Sequence, residues 1–155
     1  MLVDSYPYSY DLNEGVGGNI NSTSGRLSLA YAVATTLLKG NVNPDAFTSQ
    51  SLSDQRITEL MKKITTSRHD EYGDGPFGRK ACLVKIIMND GQIYTEEFDS
   101  STTKHITTDA ELKMKFYNLT SKTLSQLQQA NLYQFVMTLD AQVTLSPMLS
   151  LLRDF

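Results

Sequence analysis

The hydrophobic pattern of the chain is dominated by residues 25–40, GRLSLAYAVATTLLKG. Apolar residues recur there at helical spacing on one side, and further leucines and a valine fill much of the opposite side. We predict a helix over about 25–39 that is buried, because a helix apolar on most sides lies inside a larger body. A hydroxyl within residues 22–24 is expected to cap its start, and Gly40 is expected to end it.

Polar residues form a second pattern along the same predicted helix. Ser24, Ser28, Tyr31 and Thr35 follow one another at helical spacing, and Arg26 lies in the first turn, where a cation is disfavoured unless an anion is near. Two interpretations remain open. Either these hydroxyls bind backbone partners, or they face a carboxylate-bearing ligand, with Tyr31 as hydrogen-bond donor or proton donor.

The first residues differ from the rest of the chain in composition. Tyrosines at 6, 8 and 10 alternate like a short strand, but the remainder of residues 1–24, with Gly15, Gly17 and Gly18 in a cluster of Asn, Ser and Thr, has no packing pattern. We therefore predict an extended, glycine-rich arm over 1–24, followed by one domain over 25–155.

The elements of that domain alternate between helical and strand periodicity. The clearest β signal is a hairpin at about 79–98, turning at Asn89-Asp90-Gly91. Further helices are predicted at about 52–63 (opened by a capping box at Ser51), 108–122 (opened by a capping box at Thr108), 125–139 and near the C-terminus. This order predicts an α+β fold, a small antiparallel sheet packed with helices in two layers.

Length and composition narrow the classes of function. The chain has 155 residues, 40% of them hydrophobic, which suits one domain with a core. A net charge of −3 gives no sign of a nucleic-acid surface. The single cysteine, Cys82, suits a reducing compartment, and no apolar run is long enough to span a membrane. We expect an intracellular, cytoplasmic protein, or a mitochondrial one if its source is eukaryotic.

Three other features of the sequence say less about function. Gly73–Gly78 matches GxGxxG, but it precedes a strand instead of opening a helix, so we interpret it as a loop. With one cysteine and two histidines, no metal cluster of recognisable spacing can be drawn. An enzyme using His69 and His105 for proton transfer is kept as a further alternative.

The segment R-L-S-L-A-Y-A-V-A (Arg26–Ala34) resembles the R-x-S-x-x-Y segment of the MmgE/PrpD family. That family includes dehydratases and decarboxylases of small tricarboxylic acids such as 2-methylcitrate and cis-aconitate. The resemblance continues, in the family's order, through Leu37–Val42, Leu83–Tyr94 and Ala110–Phe116. It covers most of residues 25–152, which resemble the back part of the family's smaller, C-terminal domain.

The resemblance carries expectations about function. Family members are much longer, with a large helical domain first and the active site in the cleft between domains. It implies a cofactor-independent lyase in which Tyr31 is the catalytic residue of this region and Arg26 and Ser28 bind a polycarboxylate substrate, with no metal. The main acid and base would lie upstream, so the chain alone would be inactive and would need a helical domain or separate chain as partner.

The same pattern also allows a different class of function. The chain is then a non-catalytic module that forms a homodimer or binds a partner through the exposed side of the helix at 25–39.

Overall fold

The computed structural model describes residues 1–14, 20–73, 79–102 and 107–153. The chain divides into two compact units, Met1–Lys104 and His105–Phe155. The predicted division at residue 24 therefore does not coincide with the division of the fold.

The first unit carries every strand of the described chain, together with four of its helices. In chain order its elements are β1 (Leu2–Ser5), α1 (Pro7–Glu14), α2 (Leu29–Lys39), α3 (Ser49–Leu52), α4 (Gln55–Met61), β2 (Thr65–Arg68), β3 (Ala81–Ile87) and β4 (Ile93–Asp99). Short 3₁₀ turns lie at Ser24–Arg26, Pro44–Phe47 and Asp70–Tyr72.

The four strands form one sheet in the order β2-β1-β3-β4. The predicted hairpin is confirmed: β3 and β4 are antiparallel, and the turn between them uses Gly91 at a φ of 86°. The α+β class is confirmed as well. The sheet is mixed, however, because β1 pairs antiparallel with β3 and parallel with β2, with Val3 opposite both Val84 and Thr66.

The prediction of an extended arm is wrong for residues 2–14. Residues 2–5 form β1, whose Val3 and Ser5 are both 2% exposed because the strand lies between two others. Pro7 then begins α1, so the tyrosines at 6, 8 and 10 do not continue a strand. Residues 15–19, which include the three glycines, lie outside the described residues.

Helix α2 begins four positions later than predicted. Gly25 and Arg26 belong to a 3₁₀ turn, and the cap is Ser28, one residue before Leu29. Gly40 ends the helix as predicted, at a φ of 81°. A smaller part of the helix surface is buried than predicted, because Leu37 and Leu38 in the last turn of α2 are exposed.

A small core lies between α2, α4 and the turn Pro44–Phe47. Its buried members are Tyr31, Ala34, Ala46 and Ile57, and partly buried side chains of Ile20, Phe47, Leu52, Leu60, Met61 and Ile64 pack against them. The helix predicted over 52–63 begins later, as α4 at Gln55, because α3 ends at Leu52 and Asp54, with its carboxylate accepting from the Arg56 amide, caps a new start. Ser51 therefore does not act as the predicted cap.

The described part of the second unit has three α-helices, α5 (Asp109–Thr120), α6 (Gln126–Met137) and α7 (Ser146–Arg153), and a 3₁₀ turn at Leu139–Ala141. Capping boxes open α5 at Thr108, as predicted, and α6 at Ser125. The Gln129 side chain of α6, 3% exposed, donates to the Tyr117 carbonyl at 2.9 Å and to the Thr120 hydroxyl at 2.8 Å. These bonds join α6 to the end of α5.

Candidate functional site

The start of α2 holds the three residues that the sequence singles out, and its backbone is held by polar side chains. Ser28 takes an extended conformation, with φ −82° and ψ 111°, and its hydroxyl accepts from the Tyr31 amide at 3.2 Å. The Leu29 amide donates to the Asn13 side chain at 2.9 Å, and Asn13 in turn donates to Thr66 at 3.2 Å. Ser28 therefore orients Tyr31 through the backbone.

Tyr31 is directed into the core. It is 1% exposed, and its hydroxyl donates to the Ala46 carbonyl in the turn Pro44–Phe47. Burial raises the pKa of the Tyr31 phenol, and the Thr35 hydroxyl acts against that rise. Tyr31 is thus a neutral phenol at physiological pH that ties the turn to α2.

Arg26 lies on the outer side of the same region. Its side chain is exposed, and its guanidinium carbon is 5.2 Å from the centre of the Phe47 ring. The same ring is tilted against Tyr31, with 5.9 Å between ring centres. A cation held over an aromatic face keeps its donors available to an anion.

The structure therefore brings Arg26, Ser28 and Tyr31 together, with Phe47 between the guanidinium and the phenol. The sequence reasoning missed two members of this region, Asn13 and Phe47. Asn13 falls within the predicted arm, and nothing local in the sequence connects it to α2. Phe47 could have been found from Asn43-Pro44, which predicts a short helical turn at this place.

The two histidines give no comparable site in the described chain. His69 stacks on Tyr72, with 4.1 Å between ring centres, and Tyr72 donates to Glu97 at 3.1 Å. His105 lies outside the described residues, so the alternative that pairs it with His69 stays a prediction. In the same described ranges, no three His, Cys, Asp or Glu side chains are grouped so that they could hold a metal ion.

Two further features bear on the type of site. Gly73 has a φ of 80°, while residues 74–78 of the GxGxxG match lie outside the described residues. Among the helices that the structure describes, none is both long and apolar enough to cross a membrane.

Comparison with known proteins shows which protein family this chain resembles. Residues 6–141 match the MmgE/PrpD C-terminal domain. A cis-aconitate decarboxylase from Aspergillus terreus is 25% identical over 137 residues, which are 86% of this chain and 28% of that protein. A cis-aconitate decarboxylase from Mus musculus is 29% identical over 75 residues, which are 48% of this chain and 15% of that protein. The chain thus aligns with less than a third of each of these relatives.

Proposed function

The chain belongs to the MmgE/PrpD family, and from this premise we propose that it is one part of a lyase acting on a small unsaturated tricarboxylic acid such as cis-aconitate. The observation that carries the proposal is the match to the family's C-terminal domain over residues 6–141. The relatives named cis-aconitate decarboxylase favour decarboxylation over loss of water.

The chemistry of such a substrate fits the α2 region. A tricarboxylate needs cationic partners, and the exposed guanidinium of Arg26 offers paired donors that match a carboxylate. When a carbon–carbon bond breaks and CO₂ leaves, the electron pair left on carbon must take up a proton. We assign that donation to the Tyr31 phenol, which is neutral at physiological pH.

The proposal requires a local movement. Tyr31 is 1% exposed and its hydroxyl donates to the Ala46 carbonyl, so the phenol cannot touch a substrate in this arrangement. Proton donation therefore requires the turn Pro44–Phe47 to release the phenol. Ser28 acts on Tyr31 indirectly, since its hydroxyl accepts from the Tyr31 amide and so keeps the start of α2 in place during that release.

The chain also lacks most of the length of its relatives, since it aligns with 28% of the Aspergillus terreus protein. We propose that the remaining acids and bases, and the opposite wall of the substrate cleft, come from a helical region outside this sequence. The 155-residue chain alone is then inactive.

A chimera tests this proposal directly. The region of the Aspergillus terreus cis-aconitate decarboxylase that aligns with this chain is replaced by this chain, and CO₂ release from cis-aconitate is measured alongside water loss from 2-methylcitrate. We expect turnover by the chimera and none by the isolated chain. Arg26→Gln in the chimera should raise KM roughly tenfold or more, because a charge-assisted contact is lost.

The matched control is Arg56→Gln, on α4, which removes an exposed arginine that pairs with Asp54. It should leave KM unchanged. An inactive chimera that is folded contradicts the proposed function, and equal effects of the two substitutions contradict the assignment of Arg26.

One observation favours the second candidate, a non-catalytic module that forms a homodimer or binds a partner. Leu37 and Leu38 on α2 are 49% and 43% exposed. In this proposal a second copy of the chain, or another partner, covers these leucines on the exposed side of α2. Sedimentation equilibrium of the isolated chain should then show a dimer that Leu37→Lys dissociates, whereas a monomer at all concentrations argues against self-association.

A further inference from the structure

Thr35 is the one buried hydroxyl of α2 whose oxygen has no hydrogen-bond partner within the described chain. The residue is 0% exposed, and its Oγ1 is the only side-chain oxygen or nitrogen in that state among the described residues. A buried polar group without a hydrogen-bond partner lowers the free energy of unfolding, so such groups are rare and often have a function.

Other threonines in the helices of this chain show what an ordinary hydroxyl does. Thr36, Thr120 and Thr138 each donate to the carbonyl four residues earlier, at 2.8, 2.8 and 2.9 Å. For Thr35 that carbonyl belongs to Tyr31, and the bond is not formed. The Thr35 hydroxyl is therefore free to serve another group.

Thr35 and Tyr31 lie on the same face of α2. Tyr31 is one helical turn earlier and is likewise buried, at 1% exposed. The Thr35 hydroxyl interacts with the Tyr31 side chain in the direction that lowers its pKa, that is, it favours the phenolate. As the phenol donates its own proton to Ala46, its oxygen can still accept from a second hydroxyl.

We propose that Thr35 is a positioning residue for Tyr31, whose hydroxyl donates to the phenol oxygen when Tyr31 gives up its proton. The proposal rests on the proposed function in treating Tyr31 as a proton donor. In the step, the Tyr31 O–H bond breaks, the proton goes to the carbon that CO₂ has left, and the phenolate later regains a proton from water. Thr35 itself loses no proton.

Ionisation of Tyr31 in the isolated 155-residue chain tests the proposal without any substrate. 3-Fluorotyrosine is placed at position 31, and its titration is followed by ¹⁹F NMR while circular dichroism reports unfolding. Thr35→Val removes the hydroxyl and keeps the shape, and Thr35→Ser restores a hydroxyl. The matched control is Thr36→Val, which removes an exposed hydroxyl on the same helix.

We expect Thr35→Val to lower the ionisation constant roughly tenfold, the effect of losing one hydrogen bond to a charged oxygen. Thr35→Ser should recover most of it, and Thr36→Val should match the parent chain. Equal titration of Thr35→Val and the parent overturns the proposal. A phenol that ionises only as the parent chain unfolds overturns it too, since the folded chain would then have no phenolate to hold.

This test and the chimera assay fail separately. If Thr35→Val lowers the ionisation constant as expected but the chimera is inactive, the proposed lyase function is contradicted and the pairing of Thr35 with Tyr31 stands. If the chimera is active but Thr35→Val has no effect, the lyase function stands and the positioning role is contradicted.

Discussion

Replacing Tyr31 by phenylalanine should destabilise the first unit, because the substitution removes one buried hydrogen bond. The ring stays, so packing against Phe47 and Ile57 is kept. The Ala46 carbonyl, in a residue that is 4% exposed, loses its donor and gains no access to water. Leaving a buried acceptor unpaired costs about 1–3 kcal/mol.

Native-state amide hydrogen exchange along α2 measures this cost locally, which matters because the chain has two units that need not unfold together. A loss of about 1–3 kcal/mol corresponds to exchange roughly 5- to 150-fold faster. Tyr94→Phe is the matched control. It removes a phenol hydroxyl that bonds to Gln92 at 2.8 Å from a side chain that is 57% exposed. The reasoning is refuted if the two variants exchange at the same rate on α2.

Three further predictions concern stability. Gly25→Ala should lower the free energy of unfolding by about 1–2 kcal/mol, measured by urea denaturation, because the new methyl comes 3.0 Å from Ile20. The Arg79 guanidinium holds the pKa of Asp99 below its usual value, so their bond stabilises the fold above about pH 4 and is lost as pH falls through the lower folded pKa. Asp99→Asn should therefore be least stable relative to the parent at neutral pH and as stable as the parent in strong acid. Acid titration of the circular dichroism signal measures the difference. Ser125→Ala should lower the free energy of unfolding by about 1 kcal/mol, because it removes the capping box of α6. Thermal melting measures the loss, and an unchanged melting midpoint would contradict that role.

The sequence predicts the parts of the fold that depend on neighbouring residues. Gly40 and Gly91 take the positive φ values that their positions require, and Thr108 begins a helix with its glutamate three residues later. The hairpin at 81–99 follows from alternation and a turn signal. Each of these features is decided within a few residues, where periodicity and turn chemistry act.

What the sequence does not predict depends on contacts between distant residues. Four residues of β1 are too few for a clear period, and only pairing with β2 and β3 makes them a strand. Local pattern places the start of α2 at residue 25, whereas the Asn13 side chain and Ser28 hold amides that place it at 29. The family motif identifies Tyr31, but its partner Ala46 follows from tertiary packing alone.

The place of β1 in the sheet has a consequence for biosynthesis. Its residues leave the ribosome before those of both neighbours, β2 and β3, which lie much later in the chain. β1 cannot have both of its partners until residue 87 has emerged, so closure of the sheet is a late, non-local event. Translation speed and chaperone access over this interval therefore bear on the yield of folded chain.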